Sequence, residues 1–387
     1  MSKKSKTEYL LEIRERYKKS TKEEKNKILN EFCSVCSYNR KYAIRILNQW
    51  SLRVCGSNKH RCGTKPKYDS PEILKFLKTL WISTNLICSK RLKGVIKQWL
   101  PWYEKEGNAI SKKNASLLRE ISPATIDRLL RKFRKHYSKQ GLCTTKPGGL
   151  LRELVPIKTD QWNENRPGYV EVDTVAHCGT SVAGSFIFTL NMVDIATGWT
   201  SQRAVWGKGE EGVFKAIREI ELHLPFPILG FDCDNGNELL NWRLLRYFKN
   251  RTRPVSYTRS RAYRKNDNSH IEEKNWTIVR QYIGYDRLDE FQMVEMLNDL
   301  YRNKMNYFLN FFISSSKLLK KQRIGSKIKK IHQEPKTPFI KLWESEYLDE
   351  KTKMKLYKLS KQLNPFELQR SIKEKINRIL DLAIKQN

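Results

Sequence analysis

Apolar positions recur at helical spacing through the first third of the chain, shift to short β-rich runs from residue 169, and return to helical spacing toward the end. Thr21-Lys22-Glu23-Glu24 is a capping box, in which hydroxyl and carboxylate satisfy the free N–H groups of a helix start. It predicts a helix with Ile28, Leu29 and Phe32 on its apolar face, a break over 33–39, and a basic helix carrying Arg40, Lys41 and Arg45 beside apolar Ala43, Ile44, Ile46 and Leu47. This is a helix-turn-helix pattern within 1–54. A Gly- and Lys-rich linker over 55–68 follows. Helical spacing then resumes over 71–102 through Leu74, Leu77, Leu80 and Trp81.

Ser122-Pro123, an N-cap followed by proline at the first helical position, opens a further helix and gives region 69–140 a second helix-turn-helix. Ile126, Leu129, Leu130 and Phe133 form its packed side, leaving Arg128, Arg131, Lys132, Arg134 and Lys135 available to DNA. Residues 141–165, with Lys146-Pro147-Gly148-Gly149, read as a connector. Three β-rich runs at 169–176, 186–193 and 199–206 predict an antiparallel meander, followed by a helix through Val213, Ile217 and Ile220, a strand at 228–232, a helix through Leu240, Leu244 and Phe248, a strand at 255–258 and a helix at 269–284. The order is βββαβαβα. Residues 286–387 read as a basic, mainly helical region that includes Lys317, Lys320, Lys321, Arg323, Lys327, Lys329 and Lys330.

Charge narrows the function class. In 387 residues, 75 Lys+Arg against 41 Asp+Glu leave a net +34, while 39% hydrophobic and 11% aromatic residues suffice for real cores. Cation excess spread over folded domains points to a polyanion partner, because each neutralised phosphate releases condensed counterions. No apolar run approaches a membrane span and the start lacks the apolar core of a signal peptide, so a cytoplasmic protein without a membrane partner is expected. Eight scattered cysteines fit free thiols better than a disulfide framework. Cys33 and Cys36, with Cys55, His60 and Cys62, could be read as a zinc site, but the irregular second half favours small buried cysteines.

Three acids stand out. Asp173 falls inside the first strand, Asp234 ends the fourth in Cys233-Asp234-Asn235-Gly236, and Glu272 falls in the first turns of the helix after the fifth. A carboxylate inside a strand costs solvation energy that a divalent metal offsets directly. Asp232 is a second choice for the Asp234 position. His177, four residues after Asp173, is either an aid to that site or a hydrogen-bonded histidine at a strand end.

Glu171-Val172-Asp173-Thr174, Asp234-Asn235-Gly236-Asn237-Glu238-Leu239 and Asn268-Ser269-His270-Ile271-Glu272 resemble the integrase catalytic core of DDE transposases and retroviral integrases, over roughly 166–285. Spacings of 61 residues between the first two acids and 38 between the second and third suit that family's pattern. The resemblance implies an α/β RNase H-like core with a mixed five-stranded sheet, preceded by the all-α helix-turn-helix region and followed by the basic C-terminal region. It implies phosphoryl transfer in which Asp173, Asp234 and Glu272 hold two Mg²⁺ (or Mn²⁺) ions, and a loop bearing Arg259, Arg261, Arg264 and Lys265 that grips DNA. The layout resembles a bacterial insertion-sequence transposase, acting as a homo-oligomer on the double-stranded DNA of element ends and target, within the nucleoid. A catalytically decayed end-binding derivative and an RNase H-like structure-specific nuclease are the alternative functions.

Helical steps from Glu272 reach Trp276, Val279 and Ile283, an apolar stripe expected to face the sheet, while steps from Glu273 reach Thr277, Arg280 and Gly284. Glu272 is therefore expected to look inward. Recognition and chemistry are expected on separable segments, 1–140 and 150–387.

Overall fold

The structure, a computed structural model, describes residues 1–48, 67–134, 164–234, 236–260, 271, 274–324 and 327–384. The chain divides into two compact units, Met1–Pro66 and Lys67–Asn387.

In the first unit, helices α1 (Lys3–Lys19), α2 (Lys22–Cys36) and α3 (Arg40–Asn48) enclose a small core of Ile13, Tyr17, Ile28, Leu29, Phe32, Cys36, Ala43, Ile46 and Leu47. The capping box is formed: the Thr21 backbone N–H donates to Glu24 Oε2 at 2.9 Å. Helix α1 had no distinct sequence signal, because among its described residues the buried apolar ones are just Ile13 and Tyr17, with Arg14 buried between them. The break is shorter than the expected 33–39. Helix α2 runs to Cys36 and ends where Ser37 takes φ 52°, the left-handed conformation of a helix stop. Cys33 and Cys36 thus lie in the last turns of α2; Cys36 is fully buried in the core, as the reading of small buried cysteines has it, while Cys33 is half-buried. Cys55, His60 and Cys62 lie outside the described residues. On α3, Arg40, Lys41 and Arg45 are exposed, and so is Ile44, which the sequence pattern had placed with the apolar residues.

The second unit is built on a five-stranded sheet of β1 (Tyr169–Ala176), β2 (Ile187–Asp194), β3 (Thr200–Trp206), β4 (Gly230–Cys233) and β5 (Ser256–Arg259), in the order β3-β2-β1-β4-β5. The β1–β2 and β2–β3 pairs are antiparallel, and β1–β4 and β4–β5 are parallel. This is the mixed sheet of an RNase H-like core. Parallel pairing requires crossovers, supplied by α8 (Glu210–His223) and α9 (Trp242–Lys249), whose Val213, Ile217, Ile220, Leu244 and Phe248 are buried.

Helices α4 (Pro71–Ser83), α5 (Ser89–Lys105), α6 (Lys112–Glu120) and α7 (Pro123–Arg134) belong to this same unit. Trp99 is a central link between them and the rest. Its ring meets the edges of Phe308, Phe312 and Phe366, and its Nε1 donates to the Phe312 carbonyl at 3.1 Å. Gly94 of α5 lies so close to the Pro335 carbonyl that a Cβ there would collide with it. Separability at residue 140 is therefore overturned, since such a cut would strip Trp99 and its neighbours from a shared core. The compact units part at Pro66 instead.

Beyond the sheet come a helix wound as a π-turn over Asn275–Arg280 and as α10 over Gln281–Ile283, then α11 (Gln292–Leu300), a π-turn (Tyr301–Met305) and α12 (Asn306–Phe312). Asparagines from this helical run close the open edge of β3. Asn298 Oδ1 accepts from the Ala204 N–H at 2.8 Å and its Nδ2 donates to the Ala204 carbonyl at 3.1 Å. Asn310 repeats the clamp on Thr200 at 2.8 and 2.7 Å, and Asn306 Oδ1 accepts from the Gln202 N–H at 3.4 Å. Side-chain amides thus replace a neighbouring strand, leaving no free edge for another chain to pair with there.

Residues 317–332 correct the sequence reading. They form a two-stranded antiparallel hairpin, β6 (Leu318–Ile324) and β7 (Lys327–His332), where a basic helix was expected. The alternation Lys327-Ile328-Lys329 carried a strand signal that the density of lysines obscured. Helices α13 (Pro338–Trp343), α14 (Glu350–Gln362) and α15 (Pro365–Ile384) complete the mainly helical end. Among the described residues no helix is long and apolar enough to cross a membrane.

Candidate active site

Strands β1 and β4 run parallel, with Val172 opposite Cys233, so Asp173 and Asp234 leave the same end of adjacent strands one residue further on. The proximity shows in their protonation. Asp173 is pushed up to about 7, first by burial and then by the Asp234 charge. Asp234 is also raised, by burial and then by Glu238, although Gly236 N–H donates to its Oδ1 at 3.0 Å.

Glu238 is the acid whose place at this site the sequence did not reveal. It is buried, accepts from Lys208 Nζ at 2.6 Å and from Thr174 Oγ1 at 3.1 Å, and its charge adds to that around both aspartates. The Asp234-to-Leu239 stretch contained it, but only the turn through Gly236 brings its carboxylate back beside Asp234: a Cβ on Gly236 would fall 2.7 Å from Glu238 Oε2 and 3.0 Å from Asp234 Oδ1.

Two contacts attach the following helix to β1. Glu171 Oε2 accepts from the Ile271 N–H at 3.0 Å, and Asp173 Oδ2 accepts from Asn275 Nδ2 at 2.6 Å. Asn275 in turn accepts from Asn191 Nδ2 at 2.9 Å, tying the same turn to β2. Residues 271 and 275, on either side of Glu272 in the chain, are thus both held against the strand that carries Asp173. Glu272 itself, with Glu273, Arg261, Arg264 and Lys265, lies outside the described residues. Among the described residues no group of three His, Cys, Asp or Glu side chains is disposed to hold a metal.

The expected stripe of Trp276, Val279 and Ile283 is corrected. Val279 and Ile283 are buried, but Trp276 is 50% exposed and Ile278 takes the inward position. The reason is the π-turn, whose i→i+5 bonds advance each residue by a smaller angle than α-helical winding and so rotate position 276 off the buried face.

Asp232 is committed elsewhere: it is buried and accepts from Thr258 Oγ1 at 2.5 Å across the β4–β5 pair. His177 is the hydrogen-bonded histidine of the simpler reading. It is fully buried, its Nε2 shares a 2.8 Å bond with Thr189 Oγ1, and Thr189 continues to the Tyr301 hydroxyl at 2.7 Å. Burial, then Arg280, pushes its pKa down to about 3, so the ring is neutral.

On α7, Arg128, Arg131 and Lys132 are exposed, while Arg134 pairs with Asp127 at 2.6 Å and lies over the Trp81 ring. Arg259 is half-buried at the end of β5.

The chain matches no protein-family model. It is 37% identical over 339 residues to "Uncharacterized protein y4rM" of Sinorhizobium fredii (strain NBRC 101917 / NGR234), covering 87% of this chain and 95% of that one. Among solved structures it aligns with the catalytic core domain of BIV integrase at a TM-score of 0.28 and 14% identity, over 45% of this chain and 91% of that one. It also aligns with a simian T-cell lymphotropic virus intasome complexed with PP2A regulatory subunit B56 gamma, at a TM-score of 0.27 and 12% identity, over 47% and 59% of the two chains.

Proposed function

This chain belongs to the family of the y4rM protein, and we propose that it is a DDE-type polynucleotidyl transferase that cuts and joins DNA strands. The observation that carries the reading is the pair Asp173 and Asp234, half-buried at the ends of adjacent parallel strands, where each charge opposes the other. A fold gains nothing from two carboxylates placed so, whereas a divalent cation between hard oxygen donors relieves both burial and repulsion. The donor set therefore fits Mg²⁺ or Mn²⁺, held by Asp173, Asp234 and Glu272, two ions to a site. Bound there, the metals would supply an activated attacking oxygen and charge neutralisation at the phosphate.

The chain's own residues set the frame. Asn275 orients the Asp173 carboxylate, and Glu171 fixes the chain at residue 271 through its N–H. Lys208 pairs with Glu238 and partly offsets the charge that this acid adds beside Asp234. No covalent protein intermediate is required, and DNA serves as both substrate and partner. Arg128, Arg131 and Lys132 on α7, with Arg259, Arg261, Arg264 and Lys265, would contact its phosphates, and a homo-oligomer would join element ends to target DNA. The finer reading is a transposase that moves its own insertion sequence in a bacterial cytoplasm.

The test is nicking and strand transfer with Mg²⁺ on DNA carrying the element's ends, by the wild type, Glu272→Gln and Glu273→Gln. Loss in Glu272→Gln with the Glu273→Gln protein active is the expected result. Near-normal transfer by Glu272→Gln, or loss only in Glu273→Gln, would place the third ligand elsewhere.

A further inference from the structure

A second charged site lies on the same sheet. A cavity of about 60 Å³ opens between the β2–β3 turn, the base of the β6–β7 hairpin, α5 and α13, and its lining includes Arg91, Lys274, Lys317 and Lys341. That volume holds a few water molecules, the size range of a small inorganic anion and far below that of a nucleotide.

Three of these cations, Arg91, Lys317 and Lys341, bond to groups without charge. Arg91 Nε donates to the Ser314 carbonyl at 2.6 Å, Lys317 Nζ to the Glu164 carbonyl at 2.8 Å, and Lys341 Nζ to Ser315 Oγ at 3.0 Å; all three acceptors are uncharged. Among the described residues none of these three cations forms an ion pair. The carboxylate in the lining, Asp194, is already occupied: its Oδ1 accepts from the Gly168 N–H, and its Oδ2 from the Thr197 N–H and hydroxyl. Like charges crowd one another here. Burial, and next the neighbouring Lys317, pushes Lys341 down to about 8, and Arg91 and Lys336 act in the same direction against Asp194. Lys317 is lowered too, chiefly by burial, against Asp194, Glu164 and Glu171. Gly198 lets the turn approach, since a Cβ there would fall 2.9 Å from Ser315 Oγ.

We propose that Arg91, Lys317 and Lys341, with Lys274 and the Ser315 hydroxyl, form a pocket for one phosphate group. Concentrated cations beside a hydroxyl donor suit a tetrahedral oxyanion, which would offset the cost of holding the ammonium groups out of water. Position favours a phosphate of a DNA backbone. Asp173 lies opposite Asn191 in the sheet, and Asp194 is three residues further along β2, roughly 10 Å at strand rise, or about three nucleotides of duplex rise on one strand. Lys274, moreover, immediately precedes the Asn275 that holds Asp173. The phosphate chemistry rests on the pocket's own residues; its assignment to DNA rests on the function proposed above.

The experiment compares full-length wild type, Lys341→Met, Lys317→Met and, as an exposed charge-loss control, Lys358→Met. Melting is followed with and without inorganic phosphate at constant ionic strength. Phosphate should raise the melting temperature of the wild type and of Lys358→Met by about 2 °C, and that of either pocket variant by much less. In phosphate-free buffer Lys341→Met should melt above the wild type, because it removes an uncompensated buried cation. A phosphate response in both pocket variants equal to the wild type, or a Lys341→Met protein that melts lower and still responds, would overturn the proposal. The slope of DNA affinity against salt identifies the source: a loss of about 0.9 in Lys341→Met assigns the pocket to a backbone phosphate, and an unchanged slope with a lost phosphate response assigns it to free phosphate. Neither arm depends on strand cleavage, so the pocket and the active-site reading fail separately.

Discussion

The sheet carries two buried polar regions of opposite character. Across β2 and β3, Asn191, Gln202, Thr200, Asn298 and Asn310 are neutral, and apart from Gln202 Oε1, which is buried without a partner, their amides and hydroxyls answer one another's donors and acceptors and those of the edge strand. At the ends of β1 and β4, Asp173, Asp234 and Glu238 are acids set side by side, and burial and mutual repulsion raise the two aspartates. Both regions are polar and wholly or partly withdrawn from water, so burial alone does not distinguish a structural network from a functional one. Satisfaction does: a region whose polar groups are complementary stabilises the fold, whereas one whose charges oppose one another persists only if something outside the chain rewards it.

Two substitutions set the regions against each other. Asp173→Asn should abolish most Mg²⁺-dependent strand transfer, about 10³-fold for a loss of roughly 4 kcal/mol of transition-state stabilisation. Its melting temperature in metal-free buffer should equal or exceed that of the wild type, and added Mg²⁺ should stabilise the wild type alone. A variant that melts well below the wild type would mean that the acids are structural after all. Asn310→Leu should do the reverse, losing about 2–4 kcal/mol in denaturant unfolding because the N–H and carbonyl of Thr200 are left without partners. An unchanged unfolding midpoint would show that the edge clamp contributes little.

Sequence and structure agree where a local rule suffices. Strand periodicity located all five strands of the sheet within about two residues, and Asp173 and Asp234 stood out as acids where strands should be apolar. What was not legible depends on long-range geometry or on a change of helical winding. Asn298 and Asn310 read as ordinary polar residues on a helix until β3 is brought beside them. Glu238 reads as a solvated acid until Gly236 folds it back. The lysines of 317–332 hid a hairpin because charge density says nothing about period.

His177 tests the neutral side by pH. Its folded pKa, about 3, lies below the ordinary histidine value, so the unfolded chain binds the proton more readily and stability falls as pH drops below about 6.5, levelling only near 3. The contribution lost at pH 5 is about 2 kcal/mol. His177→Gln, able to keep a hydrogen bond to Thr189, should show a shallower acid limb than the wild type in unfolding measured from pH 7 to 4. An identical limb would show that His177 does not titrate on unfolding as its burial implies.

The smallest effect concerns the helix that follows β5. If α-helical winding held there, Trp276 would share the buried face with Val279, and truncating the larger ring would cost the more. The π-turn over Asn275–Arg280 reverses that order by leaving Trp276 half in solvent while Val279 is fully enclosed. Val279→Ala should therefore cost about 2 kcal/mol, from two lost methyl groups and the cavity behind them. Trp276→Ala should cost about 0.5 kcal/mol or less, as an exposed position does. Both are read from denaturant midpoints at constant m-value. The comparison isolates winding from chemistry, because Asn275 keeps its bond to Asp173 in either variant. A Trp276→Ala cost as large as that of Val279→Ala would return residue 276 to the buried face, and with it the α-helical spacing that pointed Glu272 inward.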